Sequence, residues 1–272
     1  MATTPTTALR ISALHWYPIK SCRGAPLAEA VVGARGIVGD RAFMVVDADG
    51  RFLTQRTLPQ MALIEPHVDD HTLRLAAPDS PPLSVPILSR GLPRDVVVWR
   101  DSCAAIDQGD EAAEWLSAFL AVSCRLVRIA DDMVRRVDPA FAVSGADQVG
   151  FADGYPFLLV TEDSLADLNG RLSTPLPMNR FRPSIVIRGA APYAEDTWKR
   201  IRMGGITFAV VKPCARCTIT TVDQQTALSA QEPLRTLATY RQVQGRGVLF
   251  GQNLIHESTG VIRVGDAVEI VD

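Results

Sequence analysis

The chain reads as a mainly β protein with a few helices, an α+β arrangement. Three observations point there. Short runs rich in β-branched residues recur along the 272 residues, glycine-containing turns separate several of them, and only three stretches repeat apolar residues at helical spacing.

Taken in order, "RAFMVVDADGRFLTQR" forms two extended segments around Asp49-Gly50, a turn signal because glycine tolerates positive φ. "DVVVWR" and "CRLVRIA" are further strands, and between them Asp110 is the expected N-cap of a helix whose inner face carries Trp115, Leu116, Phe119 and Leu120. A second helix is expected from Thr161, with Leu165, Leu168 and Leu172 aligned. A third is expected near Glu232, where Pro233 suits the first turn and Leu234 and Leu237 face inward. "PSIVIRG", "ITFAVV" and "GDAVEIV" complete the strands, with Gly204-Gly205 as a tight turn before "ITFAVV". Between Asp131 and Pro156, charges, proline and glycine interrupt both periods. That stretch is expected to be a linker or active-site loop between two β-rich halves, set at 8–128 and 129–272.

Composition excludes several functions. A 47% hydrophobic chain of this length buries a sizeable core, and a net charge of −2 argues against a general nucleic-acid or membrane-surface binder, so any anion site must be local. The N-terminus lacks the pattern of a secretory signal, no apolar run approaches a membrane span, and five scattered cysteines do not make a disulfide framework. The expectation is a cytoplasmic protein without membrane or nucleic-acid partners.

The chemistry concentrates in "VVKPCARCTITTVD", Val210 to Asp223, with Cys214 and Cys217 three residues apart. A thioredoxin-type pair opens a helix, whereas "TITTVD" is a poor helix start. Zinc needs about four ligands, and His15, His67, His71 and His256 are scattered. Two small buried residues beside a turn remain an alternative, but Lys212 and Arg216 flank the pair, and nearby cations favour a thiolate. One soft sulfur ligand suffices for a metal whose organic cofactor brings the others, provided that basic groups anchor that cofactor. Candidates are Lys20 and Arg23 in "YPIKSCRG", Thr54, Gln55 and Arg56 in "FLTQRTLPQ", and Arg180 and Arg182 in "NRFRPS", whose alternation puts both on one side of an extended chain.

These segments, with "GDRAFMVVD", "YAEDTW", "EPLRTLATYR", "LFGQN" and "VGDAV" in the same order, resemble the MOSC superfamily, and within it the mitochondrial amidoxime-reducing components and their bacterial relatives. The resemblance implies a MOSC N-terminal β-barrel-like domain followed by a β-barrel MOSC domain, with a molybdenum-molybdopterin cofactor (Mo-MPT) between them. It maps the metal ligand onto Cys217, and cofactor-binding roles onto Lys20, Thr54, Gln55, Arg56 and Arg182. Arg180, Ser144, Gln252 and Asn253 follow by proximity of segment, while His256 is expected to be structural. Asp223, on the strand expected after Cys217, could deliver protons or end the strand, and the structural role is favoured. The implied activity is a molybdenum-dependent oxidoreductase acting on N-hydroxylated or other N–O substrates. No cysteine follows Cys217, so electrons are expected from a separate donor protein: ferredoxin, flavodoxin, or a cytochrome b5-like carrier with its reductase. The alternative is a carrier or transfer module in which Cys217 or Cys214 holds sulfur or delivers the cofactor.

Overall fold

A computed structural model describes residues 8–272. Strands dominate, with three α-helices: α1 (Asp110–Leu120), α2 (Glu162–Gly170) and α3 (Leu234–Arg241). The largest sheet runs in the order Val268–Ile270, Arg200–Met203, Ile206–Ala215, Gly247–His256, Phe157–Thr161, Ile185–Arg188, Arg10–Trp16 and Ala25–Leu27, with Gln242–Val243 paired beside Gly247–His256. Its pairings are antiparallel except Phe157–Thr161 with Ile185–Arg188, whose parallel connection carries α2, as a crossover must. A four-stranded sheet is built from Phe43–Val46, Arg125–Ile129, Asp101–Asp107 and Pro93–Val98, and a three-stranded one from Glu65–Val68, Thr72–Ala77 and Ser80–Pro86.

The two halves of the sequence interlock. Arg10–Trp16 pairs with Ile185–Arg188, and Glu29–Gly33 pairs with Gly260–Arg263. Ile11, Leu14, Val32 and Ile37 therefore share one buried cluster with Phe157, Ile185, Phe208, Leu254 and Ile262. Phe157 and Phe208 meet edge to face at 5.3 Å, each adding about 1.5–3 kcal/mol of apolar burial. A second cluster joins α1, through Leu116 and Leu120, to Phe43, Val45, Met61, Leu73 and Leu126.

Most of the expected strands form, and Gly204 and Gly205 both take positive φ at the turn before Ile206–Ala215. The hairpin at Gly50 (φ 74°) is shorter than expected, its second arm reduced to isolated bridges at Arg51 and Phe52. Helix α2 starts where the sequence places it, and it is capped by Thr161, whose hydroxyl accepts from the Ser164 amide at 3.1 Å. Asp110, by contrast, is the first residue of α1 and not its cap. The cap position is Gly109, whose N–H donates to Asp107, while the Asp110 carboxylate accepts from Arg125. His256 packs edge-on against Phe157 at 5.5 Å, in the structural position expected of it.

Candidate functional site

The segment after Cys217 departs from the sequence expectation. Four β-branched residues suggest an extended chain, yet Thr218–Thr221 is a 3-10 turn. The Thr220 and Thr221 hydroxyls donate back to the carbonyls of Cys217 and Thr218 at 2.9 and 2.7 Å, a local alternative to strand pairing that threonine makes available. The turn ends on Asp223, which accepts from the Gln225 and Thr226 amides and from Arg180 at 2.7 Å, a structural role.

This turn, the end of the strand Ile206–Ala215 and the segment from Met133 to Pro156 enclose a cleft of about 930 Å³. Nine basic side chains line it against three carboxylates, Asp101, Asp138 and Asp153, so a chain of net charge −2 concentrates positive potential in one place. Cys214 and Cys217 both line it and both are partly exposed free thiols. Arg216 donates to Cys214 Sγ at 3.0 Å and to the Phe181 carbonyl, whereas Cys217 Sγ makes no hydrogen bond among the described residues.

Aromatic rings, more than carboxylates, position these cations. Tyr17 faces two guanidinium groups, Arg41 at 4.2 Å and Arg182 at 4.4 Å. Lys212 lies 4.1 Å from the Phe141 ring centroid, Arg56 lies 4.9 Å from that of Trp99, and Lys20 lies 4.8 Å from that of Phe52. Tyr17 is buried with its hydroxyl donating to the Pro183 carbonyl, and burial pushes its pKa up to about 12, so it stays neutral beneath both cations. Glycine at 24 makes room for that ring: a Cβ there would lie 2.3 Å from Tyr17 Cε1. Arg182 and Lys212 make no side-chain hydrogen bond or ion pair among the described residues, which leaves their N–H groups available to an anion. Burial lowers the Arg182 pKa from its ordinary value, but a guanidinium remains charged. Two further buried atoms of cleft residues, Ser184 Oγ and Arg216 Nε, lack a partner among the described residues.

Lys20 is deeply buried. Its ammonium donates to the Phe151 carbonyl at 2.8 Å and to Asp153; burial lowers its pKa, while Asp153 counters that. Partial withdrawal from water at the cleft wall pushes the Asp153 carboxyl up, but Lys20, Arg56 and the Trp99 N–H outweigh it and hold Asp153 ionised, well below the usual carboxylate range.

Of the residues singled out in the sequence, Lys20, Arg56, Arg182, Lys212, Cys214, Arg216, Cys217 and Asn253 line this one cleft. The others lie elsewhere, for geometric reasons. Arg180 and Arg182 do not share a side: Met178–Arg180 is a 3-10 turn and Arg182 has φ 53°, so the chain is not extended there. Arg180 points to the Thr221 carbonyl and Asp223, behind the turn that carries Cys217. Gln252 and Asn253 are successive residues of one strand and face opposite ways, and the Gln252 amide donates to Asp196 at 2.7 Å. Gln55 is fully buried, its amide exchanging hydrogen bonds with that of Gln224 and donating to the Ser21 carbonyl at 2.7 Å. The Thr54 hydroxyl accepts from Arg56, and exposed Ser144 bonds Asp147 within its own loop. Sequence reasoning missed Asp153, Trp99, Arg41, Ser184 and Gln224. Asp153 falls within the segment read as a linker or active-site loop, but Trp99 was absorbed into a strand pattern.

Residues 8–123 match the MOSC N-terminal beta barrel domain and residues 146–269 the MOSC domain. The chain belongs to the MOSC family. Among the curated relatives of this MOSC protein, mitochondrial amidoxime-reducing component 1 of Mus musculus is 37% identical over 286 residues, covering 96% of this chain and 82% of its own. The Homo sapiens component 1 is 36% identical over 281 residues, with the same coverage. Mitochondrial amidoxime reducing component 2 of Bos taurus is 34% identical, covering 95% of this chain and 82% of its own. Among solved structures, the YuaD protein of Bacillus subtilis aligns over 96% of this chain and 94% of its own, at 10% identity and a TM-score of 0.42.

Proposed function

We propose that this MOSC protein is a molybdenum-cofactor oxidoreductase of the cytoplasm that reduces N-hydroxylated compounds with electrons from separate carrier proteins. One observation carries the reading: a thiol free of hydrogen bonds, Cys217, shares a single cleft with nine cations, in a chain whose relatives are named amidoxime-reducing components.

The residues present fit a molybdenum-molybdopterin. A thiolate is a soft ligand of the kind that binds such metals, and Cys217 would supply it. Lys20, Arg56 and Arg182 would hold the phosphate and the pterin, with the unpartnered Ser184 Oγ and Arg216 Nε available as further polar contacts. When bound, the cofactor supplies the two-electron redox change that N–O reduction requires. Overall, an N-hydroxy compound takes up two electrons and two protons and yields the corresponding N–H compound and water, so the N–O bond breaks and the oxygen leaves as water. The chain fixes anionic groups with its guanidinium and ammonium donors. It holds the Cys217 turn in place through the backbone-directed threonine hydroxyls and Arg180, and it keeps Asp153 ionised and Tyr17 neutral.

Elemental and pterin analysis of the purified protein tests the cofactor, with about one molybdenum per chain expected. Cys217→Ser is expected to abolish reduction of benzamidoxime by an artificial electron donor while leaving the melting transition unchanged; turnover equal to wild type would remove Cys217 from the metal. Sulfur released by reductant from a molybdenum-free protein would instead support the carrier reading.

A further inference from the structure

We propose that Trp99 is a stacking platform for a flat, nitrogen-bearing conjugated ring bound at the cleft. Strands Pro93–Val98 and Asp101–Asp107 pair with Val98 opposite Asp101, which leaves Trp99 and Arg100 as the two turn residues. Trp99 has φ 59°, at a turn position that favours glycine, and a large aromatic side chain persists there only when its surroundings hold it. It is nonetheless 51% exposed, so burial is not what holds it. Three contacts do. The Phe52 ring meets it at 5.1 Å with a 71° interplanar angle, the Arg56 guanidinium faces its ring at 4.9 Å, and its indole N–H donates to Asp153 at 3.2 Å.

A rigid, half-open indole on the wall of a cleft is suited to stacking, which every conjugated ring can accept. Asp153 adds direction. Its carboxylate is ionised and its side chain is 60% exposed, so it offers acceptor oxygens to the N–H groups of a ring lying on Trp99. Two sources share this chemistry: the pterin of the cofactor and the aromatic part of a substrate. Both arms rest on the proposed function, and a direct binding measurement separates the platform from it.

The variants are Trp99→Asn, because asparagine tolerates this φ, and Trp99→Phe, which keeps a ring. Three measurements are made on the purified full chain: pterin content, KM for benzamidoxime against acetamidoxime, and affinity for free neopterin read by quenching of its fluorescence. Loss of one stacked ring predicts roughly a tenfold effect. If the ring is the pterin, Trp99→Asn lowers pterin content and weakens neopterin binding about tenfold. If it belongs to the substrate, pterin content holds and KM rises about tenfold for benzamidoxime, with kcat and the acetamidoxime KM unchanged. In either case Trp99→Phe, which keeps a ring, stays close to wild type. Wild-type pterin content, neopterin affinity and KM ratio in Trp99→Asn would overturn the platform, as would Trp99→Phe behaving like Trp99→Asn. Should the wild-type protein carry neither molybdenum nor pterin, the functional reading fails, and the neopterin titration alone decides on Trp99.

Discussion

A guanidinium that sits over an aromatic ring without a carboxylate partner keeps N–H groups free, whereas one paired with a carboxylate does not. Arg182 over Tyr17 is the former and Arg180 on Asp223 the latter, two residues apart in sequence. Arg182 is therefore expected to carry the phosphate contact. Arg182→Asn, chosen because asparagine accepts φ 53°, should weaken cofactor retention by roughly tenfold to a hundredfold, the range for losing a hydrogen bond to a charged group. Molybdenum and pterin content after dialysis measures this, and full content would remove Arg182 from the anchor. At this scale residue type was enough to single out Cys217, Lys20 and Arg182, which line the cleft. Gln55, Arg180 and Gln252 are turned away from it, because which way a side chain faces depends on turn geometry and strand parity that composition does not encode.

At the scale of elements, threonines both tempt a strand assignment and prevent the strand, since their hydroxyls satisfy nearby carbonyls in the turn after Cys217. Helix α2 shows a legible start with a hidden partner. A start near Thr161 is readable, but nothing local announces that Glu195, fully buried in a 3-10 turn, accepts from the hydroxyls of Thr161 and Ser164. Burial raises the Glu195 pKa, with those hydrogen bonds opposing. The folded state therefore holds the proton longer than the unfolded chain. The contribution of Glu195 to stability is complete below the ordinary glutamate range and is lost as pH rises through the folded pKa. Glu195→Gln, which cannot ionise, should match wild type in acid and melt progressively higher than wild type as pH rises toward neutral. Thermal melts across that range check the difference, and a constant offset would assign Glu195 no titration on folding.

For the molecule as a whole, the mainly β class and the identity of most strands were legible because β-branched runs and glycine turns are local signals. The way the halves interlock was not, because pairing across more than a hundred residues leaves no local mark. Residues 129–272 alone lack Arg10–Trp16 and Glu29–Gly33, and so leave the edges of Ile185–Arg188 and Gly260–Arg263 open. That fragment is expected to show no cooperative thermal transition by circular dichroism, and to regain one when residues 8–128 are supplied as a second chain. A sharp melt of the fragment by itself would mean that its own strands suffice.

The placement of Arg10–Trp16 also sets a schedule for the ribosome. Once it has emerged, Arg10–Trp16 has to wait, without this partner, until Ile185–Arg188 has been synthesised, and Glu29–Gly33 waits until Gly260–Arg263. Throughout that interval two ready-made sheet edges travel on a nascent polypeptide, so production of this protein in cells should be more sensitive to chaperone supply and translation speed than the durability of the finished molecule would suggest.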